Sequence, residues 1–398
     1  MSNEDRSSGI AVPGVSRRAV LATGAATLVA GCQSDGFGSD ARQTTVDIDC
    51  EASDGWRQYQ TDAANSGTRT QRTPPFDAEL TSVGSVSEFS GGVVVDDARR
   101  AFFGDQQAVR AIDVREGDER WRREFNSLVS ATPVLACNAV VVQTSVRTYA
   151  LDRSDGTTLW EASPGNQFAE PLSDGRHVFV ASSVPTALDL RDGSTRWSHD
   201  LTDVTPWGCC LGDGCLVVTG LTDRGGVAVG LDAASGDRRW RTDLPNPVKA
   251  SPTYRDGTAY VPDEGTHLVA LSIETGDVEW RTRPYDSLPG GRWAATPTVA
   301  GDTVVVPSGN GGTTAAVDRA SGETVWEVET GPTLAPPVAT GSGVVVGTMN
   351  EGLFLVDADG TVVDRRTDTR AGSQMALTDA GLFYKTAGMD VEFVHLGE

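Results

Sequence analysis

Residues 205 to 215 read TPWGCCLGDGC, which places three of the chain's six cysteines within seven positions. Sulfur at that density can carry redox chemistry, or it can be packing. Three outcomes are open for Cys209, Cys210 and Cys215. LGDG reads as a tight hairpin that would set Cys210 roughly opposite Cys215, so those two can bridge. The thiols can stay free and buried. A vicinal Cys209–Cys210 disulfide is strained, because a trans peptide holds the two Cα atoms about 3.8 Å apart, below the usual disulfide range. Cys50 and Cys137 are left over, the latter in a predicted turn, and no spacing suits a metal. His177, His199, His267 and His395 fall in separate strands or turns, so a shared ion is not expected among them. Ser-His-Asp, paired-carboxylate and phosphate-loop signatures are absent, and the DG and GG runs are turns. What the cysteines can do depends on the elements that place them.

Those elements start after a leader. Arg17 and Arg18 precede a weakly apolar run from Ala19 to Ala30, too short to span a bilayer, as in a twin-arginine export signal. Leu28–Cys32 resembles a lipobox, in which the Cys32 thiol takes a lipid and becomes the mature N-terminus. The expected division is a signal peptide over 1–31, a Gly/Ser-rich tether over 32–55 and one folded domain over 56–398, held at the outer face of the cell membrane. The chain carries 55 acidic against 33 Lys and Arg residues, a net charge of −22. Only Lys249 and Lys385 are lysines. That charge repels nucleic acid. Carboxylate excess with scarce lysine resembles haloarchaeal proteins, whose brine screens the self-repulsion.

The folded part repeats one unit. DVREGDERW (113–121), DRSDGTTLW (152–160), DLRDGSTRW (189–197), DAASGDRRW (232–240), SIETGDVEW (272–280) and DRASGETVW (318–326) all place Gly fifth and Trp ninth. DADGTVV from Asp357 is a seventh copy, shortened and without its Trp. The leading Asp can close a turn through its side chain, and the Gly supplies the positive φ. Two further strand signals lie upstream in each unit, giving four strands in about forty residues and no helical period. Such a unit covers its faces by stacking around an axis, as blades of a β-propeller do. Seven tagged units and the strand signal AELTSVGSVS (78–87), placed as the outer strand of the last blade, predict an all-β, eight-bladed ring of four-stranded antiparallel blades. The tag resembles the PQQ-like β-propeller repeat over essentially all of residues 79–398, and Trp56–Gly67 resembles the leading segment of lipoproteins of that family. The GH and WD dipeptides of WD40 propellers are missing.

Aligned inner strands put Cys209-Cys210 where other blades carry Thr-Pro or Ser-Pro, which predicts that the pair faces the central funnel or its rim. Phe168, Glu170, Trp207, Lys249, Arg292 and Trp293 fall at or just before the same column in four consecutive units. Aromatics mixed with charges on one arc are suited to recognising a protein or extended peptide. The family resemblance implies an alternative. Quinoprotein alcohol dehydrogenases hold a disulfide between adjacent cysteines over the cofactor ring, so Cys209 and Cys210 would serve a PQQ- and calcium-dependent dehydrogenase. The catalytic Asp and calcium ligands of those enzymes match no residue here one by one, and no C-x-x-C-H haem site occurs. Neither a cofactor nor a metal is therefore expected.

Overall fold

The computed structural model describes residues 55–87, 91–129, 131–165, 169–285, 295–387 and 392–397. The export signal (Arg17, Arg18), the lipidation candidate Cys32, and Cys50 lie outside them. Eight four-stranded sheets form, each antiparallel and in simple meander order. Blades one to seven span residues 93–124, 134–162, 172–198, 205–244, 253–282, 298–329 and 338–366. Blade eight takes three strands from residues 371–396 and a fourth from Leu80–Ser85, which pairs antiparallel with Glu392–Leu396. The last sheet is thus sealed with an N-terminal strand, as the unpaired signal at 78–87 predicts. Arg366 holds the approach to that strand, donating to the carbonyls of Phe76 at 2.8 Å and Ala78 at 2.6 Å.

Adjacent blades are joined near the channel around the whole ring. Gly92 N donates to Thr132 Oγ1, Thr132 N to Glu170 Oε2, Cys209 Sγ to the Glu170 carbonyl, and Thr219 Oγ1 to the Ala250 carbonyl. Thr253 Oγ1 reaches the Pro297 carbonyl and Thr298 Oγ1 that of Pro337. Ala371 N donates to the Thr348 carbonyl, and Gln374 Nε2 to Val93 O closes the circle.

The tags explain why the blades stack. Each leading Asp accepts from the amide two residues on, as Asp113 does from Arg115 and Asp232 from Ala234, so the turn closes on its own side chain. The Trp of one blade then lies over the tag Gly of the next. A β-carbon placed on Gly156, Gly193, Gly236, Gly276, Gly322 or Gly360 would sit within 2.7 Å of the preceding blade's indole, and all six glycines have φ between +70° and +84°. The indole N–H donates to the carbonyl of the second tag residue, from Trp121 to Arg153, Trp160 to Leu190, Trp197 to Ala233, Trp240 to Ile273 and Trp280 to Arg319. The shortened seventh tag keeps Gly360 because Trp326 rests on it. Gly117, in the first tag, has nothing within 4 Å of a β-carbon, since its neighbour, blade eight, supplies no Trp.

Candidate functional site

Residues 56–71 form a belt across one mouth of the ring. Their carbonyls accept backbone N–H groups at the hairpin-turn ends of the inner strands. Val95 donates to Trp56, Leu135 to Arg57, Leu211 to Ala63, Tyr254 to Ala64, Val299 to Ser66 and Ala339 to Gly67. Blade three joins through Gln58, whose Oε1 accepts from Ser173 N at 2.9 Å. Blade eight joins through Gln374 Oε1, which accepts from Gln60 N at 3.4 Å. Asn65 goes deepest: fully buried, at φ +55°, its Nδ2 donates to the carbonyls of Cys209 at 2.7 Å and Pro252 at 2.9 Å. Inner-strand amides that point into the channel of a ring have no ladder partner on that side, and the belt satisfies them. The resemblance of Trp56–Gly67 marks this segment in the sequence; its plugging role rests on backbone contacts that no residue pattern displays.

The opposite mouth is lined by the strand starts. Glu170 is half-buried on the channel wall and accepts from Thr132 N at 2.6 Å. Desolvation raises its carboxyl to about 7, against the opposing hydrogen bonds from Thr132. Tyr59 reaches up from the belt, its phenol 2.8 Å from Thr296 Oγ1, and burial, with the Glu170 charge adding to it, pushes its ionisation upward. Lys249 Nζ lies 5.8 Å from the Trp207 ring centroid and 3.0 Å from Glu264 Oε1. The corner that presents Glu264 is fixed by the buried Asp263, which accepts from Asn246 Nδ2 at 2.9 Å, His267 N at 2.9 Å and Arg281 at 3.3 Å. Gly208 lets blade five come close: a β-carbon there would stand 2.4 Å from Ser251 Cα. Of the candidate arc, Glu170, Trp207 and Lys249 share this mouth in neighbouring blades, while Phe168, Arg292 and Trp293 lie outside the described residues. Asp263, Glu264 and Tyr59 were not singled out from the sequence. A buried Asp at a strand corner has no motif of its own.

Of the three outcomes open for the cysteines, the free and buried one is formed. Cys209, Cys210 and Cys215 are free and buried. The Cys210–Cys215 bridge is not formed, because the two-residue turn pairs Cys215 with Gly212 and Cys210 with Val217, a diagonal offset of two positions. Nor does the pair face the funnel. Successive strand residues point to opposite faces, so Cys209 packs with Leu172 and Phe179 of blade three, and Cys210 with Ala259 and Val261 of blade five. Desolvation raises all three thiols, Cys215 to about 11 and the other two further, so they are protonated and unreactive. A quinone cofactor does not fit these residues: the sulfurs sit in two separate inter-blade cores, Tyr59, Gln60 and Asn65 occupy the channel beside them, and no cluster of acidic, His or Cys donors forms among the described residues.

Eight four-stranded blades around a channel, with Trp docked on Gly at six of the junctions between them, make this a PQQ-like β-propeller. The chain belongs to the family described as outer membrane protein assembly factor BamB, which matches residues 50–183 and 180–384. It is 26% identical over 268 residues to BamB of Bordetella pertussis, covering 61% of this chain and 66% of that one. It is 32% identical over 167 residues to the serine/threonine-protein kinase AfsK of Streptomyces coelicolor, covering 40% of this chain and 20% of the kinase. The chain thus spans less than two thirds of the length of these curated relatives. The quinohemoprotein alcohol dehydrogenase of Comamonas testosteroni shares the fold, with a TM-score of 0.70 at 14% identity over 87% of this chain and 81% of that one.

Proposed function

We propose that the protein is an exported, lipid-anchored binding propeller that recognises a protein or extended peptide at the mouth opposite the belt. The observation that carries this reading is the asymmetry of the channel. One mouth is filled by residues 56–71, whose hydrogen bonds engage all eight inner strands, so a guest must meet the other. That mouth offers an aromatic ring, an ammonium held by Glu264 and a half-buried carboxyl, a mixture suited to side chains and main-chain groups of a peptide. Family membership supports the binding-scaffold class, since matched relatives are named assembly factors. The leader over 1–31, the tether over 32–55, lipidation at Cys32 and the salt-adapted surface complete the proposal, placing the domain on the outer face of the cell membrane. Pull-down from solubilised membranes tests it: Trp207→Ala combined with Trp293→Ala should lose the partner recovered by the unaltered protein. Recovery unchanged by the pair removes the rim from consideration.

A further inference from the structure

Glu170 lies just before the inner strand of blade three, where its aligned neighbours are Thr132 of blade two and Thr296 of blade six. Among the described residues its carboxyl bonds only to Thr132, whose N–H it holds at 2.6 Å, and no cationic side chain pairs with it. The hydroxyls of Tyr59 and Thr296 sit 2.8 Å apart, and the Glu170 charge is felt at the Tyr59 phenol, so carboxyl and hydroxyl pair share one stretch of the channel. Two further acceptors in the belt, Gln60 Oε1 and Asn65 Oδ1, are buried and receive no hydrogen bond. The channel therefore holds acceptors in excess of donors, and a buried acceptor without a donor is costly.

We propose that Glu170, Tyr59 and Thr296 seat the ammonium group of a lysine side chain that a peptide guest lowers into the channel. This rests on the peptide-binding reading above and names the group the guest must bring. The chemistry selects it. An ammonium carries three donors, no acceptor and a compact charge, so it can give one N–H to the Glu170 carboxylate and another to the Tyr59–Thr296 pair, whose oxygens keep lone pairs after bonding each other. A guanidinium fork prefers both oxygens of a carboxylate, and Thr132 N already occupies Oε2. A calcium ion takes about six to eight oxygens with several carboxylates among them, and no group of three acidic, His or Cys donors forms among the described residues. The protein's own Lys249 is held by Glu264 at 3.0 Å, which leaves Glu170 to the guest. A lysine stem is long enough to carry its charge below the rim while the guest's main chain stays at the mouth beside Trp207.

Ligand-observed NMR of the full chain, at one fixed potassium chloride concentration, tests the seat with three probes. These are a tripeptide capped at both ends with a central lysine, the same peptide with norleucine in its place, and triglycine amide with a free amino terminus. The lysine peptide should bind at least tenfold more tightly than the norleucine peptide, and Glu170→Gln should remove that difference. On the unaltered protein, which guards against a variant that fails to fold, affinity for the lysine peptide should rise about tenfold from pH 6 to pH 8. The Glu170 carboxyl, raised to about 7, goes from about one-tenth to about nine-tenths ionised over that range, while Tyr59 of the belt and Cys209 of blade four, the titratable groups that feel its charge, stay neutral. Equal binding of the lysine and norleucine peptides, a lysine preference that survives Glu170→Gln, a flat pH profile, or binding by triglycine amide alone overturns the assignment. The rim is scored separately by the pull-down. A partner lost with the rim pair while no lysine peptide binds removes the seat and keeps the rim; a bound lysine peptide beside an unchanged pull-down keeps the seat and removes the rim.

Discussion

If the Trp-on-Gly dock binds blade to blade, Gly236→Ala and Gly117→Ala must differ, although both glycines have nearly the same backbone, φ +78° and +71°. An alanine in the left-handed region costs about 1–2 kcal/mol at either site. At Gly236 the new methyl would also meet Trp197 Cδ2 at 2.6 Å, whereas at Gly117 it meets nothing within 4 Å. Overpacking of that kind adds about 1–3 kcal/mol. Residues 56–398 number 343, and an unfolding entropy of about 2.1 cal/mol/K per residue makes each kcal/mol worth about 1.4 °C of Tm. Gly236→Ala should therefore lower Tm by about 3–7 °C and Gly117→Ala by about 1–3 °C in calorimetry. Trp197→Leu placed beside Gly236→Ala should give a combined loss smaller than the sum of the single losses, since the methyl then has space. Equal shifts for the two alanines, or strict additivity of the pair, would refute the dock as the blade-to-blade contact.

Three further outcomes follow from the site. Burial raises the Glu170 carboxyl to about 7, so folding binds a proton there between the ordinary carboxylate range and pH 7, and this group's contribution to stability falls as pH rises through that window. Glu170→Gln should match the unaltered protein in Tm near pH 4.5 and exceed it at pH 8; a constant difference across that range contradicts the shift. Asn65→Ala removes two bonds and leaves the Cys209 and Pro252 carbonyls without their donor, costing about 2–4 kcal/mol, read as a lower denaturant midpoint. Iodoacetamide at pH 8 should leave Cys209, Cys210 and Cys215 untouched in the native protein and label all three after unfolding without reduction; a disulfide among them would show as missing label.

The ring was legible because its information is periodic: a Gly and a Trp at fixed places, six times, encode a contact made at six of the eight junctions between blades. The closing strand was legible too, as Leu80–Ser85 is a strand signal without a unit. Where the cysteines point was in reach and misjudged. Strand alternation alone forbids Cys209 and Cys210 from both facing the channel, and a two-residue Asp213-Gly214 turn pairs Gly212 with Cys215. The belt was hardest, because its bonds run mostly through backbone carbonyls, which every residue carries. Asn65 and Gln60, polar and fully buried, hint at it only once their depth is known. Asp263 likewise works through position, organising the corner that sets Glu264 beside Lys249.

The central claim is that binding occurs at one mouth because the belt closes the other. A photo-crosslinking residue at position 207, on the open mouth, and one at Asp62, on the belt, can be compared in the full-length protein with the partner present. Adducts from position 207, and none from position 62, are the predicted result. Adducts from position 62 at equal or greater yield would place the guest on the belt face and contradict the account.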